Sequence, residues 1–222
     1  LNEASDIFHR IIDEAPTFAS AYSSLVQIAN ARHLIFPGIY RSDSLSEESL
    51  TLAKQAVSID PLSSRAHLCL AWSHMLRSEF DQAEFRYALA RDLNENDTWT
   101  LVSSGQGLAF AGRHTQAQGF SDEALLLNSH LSPVEWGYQV GTRFLCGDYE
   151  MAYQAAEKAG DVTPNLPAWK AASLLYLDRP EEALAEGQRF LGPIRDAGDS
   201  ECFRHGILTA TGVSEQSLGQ SL

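Results

Sequence analysis

The sequence predicts an all-α chain of stacked antiparallel helix pairs, and three observations carry that expectation. Two segments of 34 residues, 64–97 and 98–131, abut without a gap. Small residues recur in register across them, Ala83 and Ala90 in the first, Ala117 and Ala124 in the second. Small side chains let two helix axes approach closely. Strand-type alternation nowhere runs beyond a few residues, so no sheet is expected. Repeats of this length, one helix pair each, stack into a solenoid in which every unit covers its neighbour's apolar face.

Residues 1–16 read as the second half of a repeat. Ala4, Phe8, Ile11 and Pro16 follow the second-helix pattern. Its partner helix would lie upstream of Leu1, leaving Ile7, Phe8, Ile11 and Ile12 half covered. Such a face is a candidate for homodimer formation. A first helix follows over about 19–33, with Tyr22, Leu25, Val26 and Ala29 in its packing slots. Its partner near 45–59 carries Ala53 and Ala56 and closes at Pro61. The unit 19–63 has 45 residues, 11 more than its neighbours, and the excess is placed at 34–44, "LIFPGIYRSDS". Pro37-Gly38 breaks the helix there, and Ser44 or Ser46 with Glu47 and Glu48 can cap the next one. The insertion reads either as a long connecting loop or as a flap. In the second case Ile35, Phe36, Ile39 and Tyr40 would cover part of a groove or dock another domain.

The unit 133–166 carries Trp136, a Gly147-Asp148-Tyr149 turn, Ala152, Ala159 and a closing Pro164. Gly112 and Gly147 both fall where a first helix ends, and the left-handed cap conformation suits glycine. The last unit, 167–192, is shortened. Its first helix, "AWKAASLLYL", ends by Asp178, Pro180 starts the second, and Gly192-Pro193 should stop it. The repeat domain thus spans 1–192. In the remainder, 193–222, a capping helix is possible over about 199–208, and the Gly/Ser/Thr/Gln-rich end should fray.

Composition narrows the function. The chain of 222 residues has 16 Lys+Arg against 29 Asp+Glu, a net charge of −13. So acidic a chain repels phosphate backbones, and no basic stripe offers a nucleic-acid surface. Cys69, Cys146 and Cys202 are unclustered and read as apolar fillers in a reducing, cytoplasmic compartment. No apolar run approaches the ~18 residues of a membrane helix.

Catalytic chemistry is not expected. His67 and His74 share a helical face, but no carboxylate or thiolate completes a metal site beside them, so a packed, hydrogen-bonded pair is expected. Gly105-Gln-Gly107 follows no strand and is no dinucleotide loop. No nucleophile-elbow, phosphate-loop, zinc-protease or kinase signature occurs. No catalytic, cofactor or metal residue is therefore assigned.

The 34-residue units resemble tetratricopeptide repeats. The first fills the characteristic slots with His67, Leu70-Ala71, His74, Ala83, Tyr87 and Ala90. The second fills them with Leu101, Ser104-Gly105, Leu108, Ala117, Ser121 and Ala124, while Glu95 and Ser129 stand where the repeat's proline would be. The resemblance implies a right-handed superhelix of antiparallel pairs whose first helices line a concave wall. Reading that stripe gives Ser23, Gln27, Asn30, Arg65, Leu68, Trp72 and Met75, then Trp99, Val102, Gln106 and Phe110, then Val134, Tyr138, Gly141 and Phe144. Of these, Arg65, Leu68, Trp72, Trp99, Gln106, Phe110, Tyr138 and Phe144 are the candidate binding residues. Large rigid rings beside Arg and Gln suit a peptide- or helix-binding groove. A tightly wound superhelix would instead bury them against neighbouring helices. Both readings are open.

The order of parts, "LAKQAVSIDPLSSRAHLCLAWSHML" followed by "NDTWTLVSSGQGLAFAGRHTQA" and "PVEWGYQVGTRFLCGDY", resembles the C-terminal repeat region of bacterial multidomain regulators. There the repeats follow a winged-helix DNA-binding domain or a class III adenylate/guanylate cyclase domain. The resemblance implies a non-enzymatic scaffold that binds a protein segment or its own N-terminal effector domain. A small-ligand sensory domain, or the regulatory region of a nucleotide cyclase, are the alternatives.

Overall fold

A computed structural model describes residues 2–35 and 43–196, and among these residues every regular element is an α-helix. In chain order they are α1 (Asn2–Glu14), α2 (Ala19–Ile35), α3 (Asp43–Ile59), α4 (Ser64–Leu76), α5 (Phe80–Leu93) and α6 (Thr98–Phe110). There follow α7 (His114–Leu127), α8 (Pro133–Leu145), α9 (Tyr149–Ala159), α10 (Leu166–Tyr176) and α11 (Pro180–Asp196). From α2 onward they pack as consecutive pairs, and α1 rests on α2. Each even-numbered helix also packs on the next even-numbered one, forming an inner layer. The odd-numbered helices form the outer layer.

Burial patterns explain the two layers. Helix α4 buries every residue from Ala66 to Met75, and α6 buries nearly all of its length, because each is enclosed by helices on several sides. Outer helices bury one stripe only, Ala83, Tyr87 and Ala90 in α5 and Ala117, Ser121 and Ala124 in α7. That spacing is the single apolar face of a surface helix.

The turn inside each pair is the same device four times over. Ser78, Gly112, Gly147 and Asp178 all have positive φ, between 58° and 82°. The next residue in each case, Glu79, Arg113, Asp148 or Arg179, donates its backbone N–H to the carbonyl five residues earlier, at 2.9–3.0 Å. This is the Schellman closure, which satisfies carbonyls orphaned at a helix end. Helix starts are capped too. Ser63 accepts from Ala66 N–H, Asp97 from Trp99 and Thr100, and Ser132 with Glu135 forms a reciprocal capping box.

Small residues sit where helices touch. A Cβ on Gly105 would stand 3.2 Å from the Ala117 carbonyl oxygen. One on Gly107 would fall 2.0 Å from the Tyr87 hydroxyl. Ser121 and Gln139 hydrogen-bond through both their side chains and the Ser121 carbonyl, joining α7 to α8.

Two expectations are corrected and two fall outside the described residues. Gly192-Pro193 does not stop the last helix, since α11 runs to Asp196. Proline holds φ near the helical value and forfeits one hydrogen bond, so a helix already packed on α10 continues past it. His67 and His74 do not pair with each other. The His67 ring contacts the Pro61 carbonyl at 3.0 Å and Arg86 at 3.2 Å, whereas His74 Nδ1 meets Glu79 at 2.5 Å. Both rings are buried, but each has its own partner. Of the 34–44 insertion, Leu34 and Ile35 belong to α2, Asp43 and Ser44 to α3, and 36–42 lie outside the described residues. So does everything after 196, including the capping helix expected over 199–208.

Two consequences are measurable. At Gly112 and Gly147 an added Cβ would meet nothing within 4 Å, so alanine there is penalised by conformation alone. Gly112→Ala or Gly147→Ala should cost about 1 kcal/mol, and Ser78→Gly should gain stability, as read by urea denaturation. Glu135 offers a pH test. Burial alone would raise its pKa, but hydrogen bonds from Thr98 and from the Ser132 side chain and backbone outweigh this and hold the carboxyl below the ordinary glutamate value. A lowered folded-state pKa means stability that is present at neutral pH and lost as pH falls through that value. Glu135→Gln should therefore be more destabilising at pH 7 than at pH 3.

Candidate functional site

The inner layer brings the expected wall residues into two adjoining groups. The first surrounds a narrow cleft of about 30 Å³ that spans α2, α4, α6 and α8. Arg65, Leu68, Trp72, Trp99 and Tyr138 all line it, together with Gln27. The second group is aromatic and lies toward α10. Phe110 and Phe144 stack edge-on against Trp169, at centroid distances of 6.5 and 5.3 Å. Gln106 links the groups, because its side chain lies over Gly141, where a Cβ would stand 2.1 Å from Nε2.

Depth separates these residues. Leu68 and Trp72 are 4% and 5% exposed and belong to the core with Tyr87, Leu108 and Ala117. The Trp72 indole N–H donates to the Ser103 hydroxyl at 2.8 Å, and its ring meets Tyr87 edge-on at 6.0 Å. They form the floor of the cleft. Met75 and Val102, on the same stripe, are buried as well. Trp99 and Tyr138 are half-buried walls, packed edge-on at 5.3 Å. Burial raises the Tyr138 hydroxyl above the usual tyrosine pKa, with the Ser103 hydroxyl partly opposing it. Arg65 is exposed and bonds to Gln27 across the cleft mouth. Phe110 is 38% exposed.

Burial pushes the Cys69 thiol up to about 12, with Arg65 pulling the other way, so the sulfur stays protonated. Among the described residues no three His, Cys, Asp or Glu side chains stand together as a metal set. Among them, too, no helix is long and apolar enough to cross a membrane.

Three aromatic residues of the wall were not among those the sequence stripe assigned to it: Tyr149, Trp169 and Tyr176. Phe144 packs edge-on against Tyr149 at 5.4 Å and Tyr176 at 5.7 Å, and those two tyrosines stack face to face at 4.2 Å. The stripe, carried one helix further into "AWKAASLLYL", would have met Trp169. Tyr149 starts an outer helix and only the turn after α8 brings it to the wall.

No family model matches the chain, and no curated protein matches it in sequence. Solved structures do match in shape. The chain is similar to the APC/C hetero-tetramer Cut9-Hcn1, with a TM-score of 0.64 and 16% identity over 98% of this chain. It spans 45% of that chain's length. A thermophilic TPR protein of Thermus thermophilus gives 0.59 and 18% identity, over 77% of this chain and 89% of that one. PilW, a widely conserved type IV pilus biogenesis factor, gives 0.59 and 13%, over 91% and 89%. The fold is that of a tetratricopeptide-type helical superhelix.

The depth difference has a direct test. Trp72→Ala should cost about 3–5 kcal/mol of folding stability. Phe110→Ala, on a half-open surface, should cost well under half of that in the same denaturation experiment.

Proposed function

We propose that this chain is a non-catalytic scaffold whose inner wall binds a segment of another protein. The observation that carries the reading is the wall's accessible apolar surface. Phe110, Leu175 and Tyr176 are 38%, 61% and 65% exposed. Phe110 and Tyr176 continue, through Trp169 and Phe144, a face that begins at Trp99 and Tyr138. Exposed rings held rigid by their neighbours bury much area at little entropic cost, and binding energy concentrates on a few such residues. The cleft at the other end, at about 30 Å³, is far smaller than a small-molecule pocket, so it supports side-chain capture better than small-molecule sensing. Arg65, which forms no ion pair among the described residues, supplies a cation at its mouth.

The finer setting follows the resemblance of the order of parts. In this reading the partner is a protein segment or an effector domain of a bacterial signalling or transcription regulator, and the chain controls it in the cytoplasm without catalysis of its own. The partly exposed face of α1, where Ile7 is exposed and Phe8, Ile11 and Ile12 are half-buried, is the place for a helix of the same regulator or a second copy.

Peptides selected from a random displayed library against this chain provide the test. They should lose about 2 kcal/mol or more of binding energy on Trp99→Ala or Phe110→Ala, while the variants keep a cooperative unfolding transition. Selected peptides indifferent to both changes would move the site off the wall.

A further inference from the structure

The α10 end of the wall has a chemistry of its own. Tyr149 and Tyr176 stack with their planes 12° apart, and Tyr176 and Leu175 stay largely exposed. The cations next in sequence to this patch are already paired with acids, mostly on outer helices. Arg143 pairs with Asp122 of α7 and lies 3.9 Å from Asp148, the cap residue before Tyr149. Lys170 pairs with Glu157 of α9 and Glu186 of α11. Arg179 pairs with Glu182 at 2.6 Å, and its guanidinium lies over the Tyr153 ring at 4.5 Å.

The acids beside the patch are left over. Glu150 follows Tyr149, is exposed, and accepts a hydrogen bond from the Gln154 side chain. Asp178, two residues after Tyr176, is exposed in the turn. Neither has an ion pair among the described residues. In a chain of net charge −13, a stacked tyrosine pair whose Tyr176 ring is exposed, with unpaired carboxylates next to it in sequence, attracts a cation that also presents an apolar surface. A guanidinium meets both demands, stacking on a ring face while its N–H groups reach a carboxylate.

We propose that this end of the wall docks an arginine-bearing apolar segment of a partner protein, with Arg stacked on Tyr176 and neutralised by Glu150 and Asp178. A neighbouring aliphatic or aromatic side chain of the segment would rest on Trp169 and Phe110. This rests on the scaffold reading and names the partner chemistry at one end of the same wall. Charge attraction sets the approach, and the rings discriminate between cationic segments.

The probe is a labelled hexapeptide alternating Arg and Leu, followed by fluorescence polarisation with the full chain. It should bind at least tenfold more tightly than the same peptide with Ser for Leu, and the Glu-for-Arg peptide should not bind. Tyr176→Ala should weaken binding tenfold or more. Glu150→Gln with Asp178→Asn should weaken it several-fold and flatten its salt dependence. Asparagine tolerates the left-handed backbone at 178, and unfolding of each variant confirms that it folds. Equal binding of the Arg/Leu and Arg/Ser peptides would reduce the effect to general charge and overturn the proposal. So would indifference to both sets of substitutions. Trp99→Ala should leave this probe unaffected, so that failure here is distinguished from failure of the wall as a whole.

Discussion

The packing of Tyr87 against the backbone of α6 at Gly107 is the contact on which the array depends. The ring comes from the outer helix of one repeat, is fully buried, and occupies the space any side chain at 107 would need. It therefore fixes how closely α5 and α6 approach, and with that the step from one repeat to the next. The same ring braces Trp72, whose indole N–H reaches Ser103 on α6. One glycine and three side chains tie two consecutive repeats into a single core. Interiors packed to this density do not yield to a small change at such a point.

Electrostatics reinforces that step from outside. Arg113 of the α6–α7 turn bonds Asp81 and Glu84 of α5, and Arg91 of α5 bonds Glu123 of α7. Arg189 and Asp161 repeat the arrangement further along. Exposed pairs of this kind contribute little stability individually. Their effect lies in placement. By drawing basic side chains outward between repeats, they help leave the inner wall apolar in its middle. The wall's character is set in part by ion pairs on the opposite face.

Much of the architecture was legible in the sequence because repeat proteins are built from local contacts. The small residues Ala83, Ala90, Ala117 and Ala124 stand at helix contacts, and Gly112 and Gly147 take the left-handed backbone expected of them. Ser78 and Asp178 adopt the same conformation without glycine; aspartate tolerates it, but serine at 78 is not a choice propensity would have found. Packing of the helix pair overrides the local cost there. Gly107 was equally silent, since its need for glycine comes from Tyr87, a residue of the preceding repeat.

Among the wall residues, the helical stripe alone determined that Arg65, Trp99, Gln106, Phe110, Tyr138 and Phe144 would lie on inner helices. Periodicity reports the direction in which a side chain leaves its helix. It does not report how deeply the neighbours bury that side chain. Only the tertiary structure decided that Leu68 and Trp72 form a floor, because α2 and α8 both reach the cleft over α4. Likewise the joining of Phe110 to Trp169, and of Tyr149 to Tyr176, required the winding that brings α6 toward α10. That winding is the accumulated product of every inter-repeat step, and no single repeat encodes it.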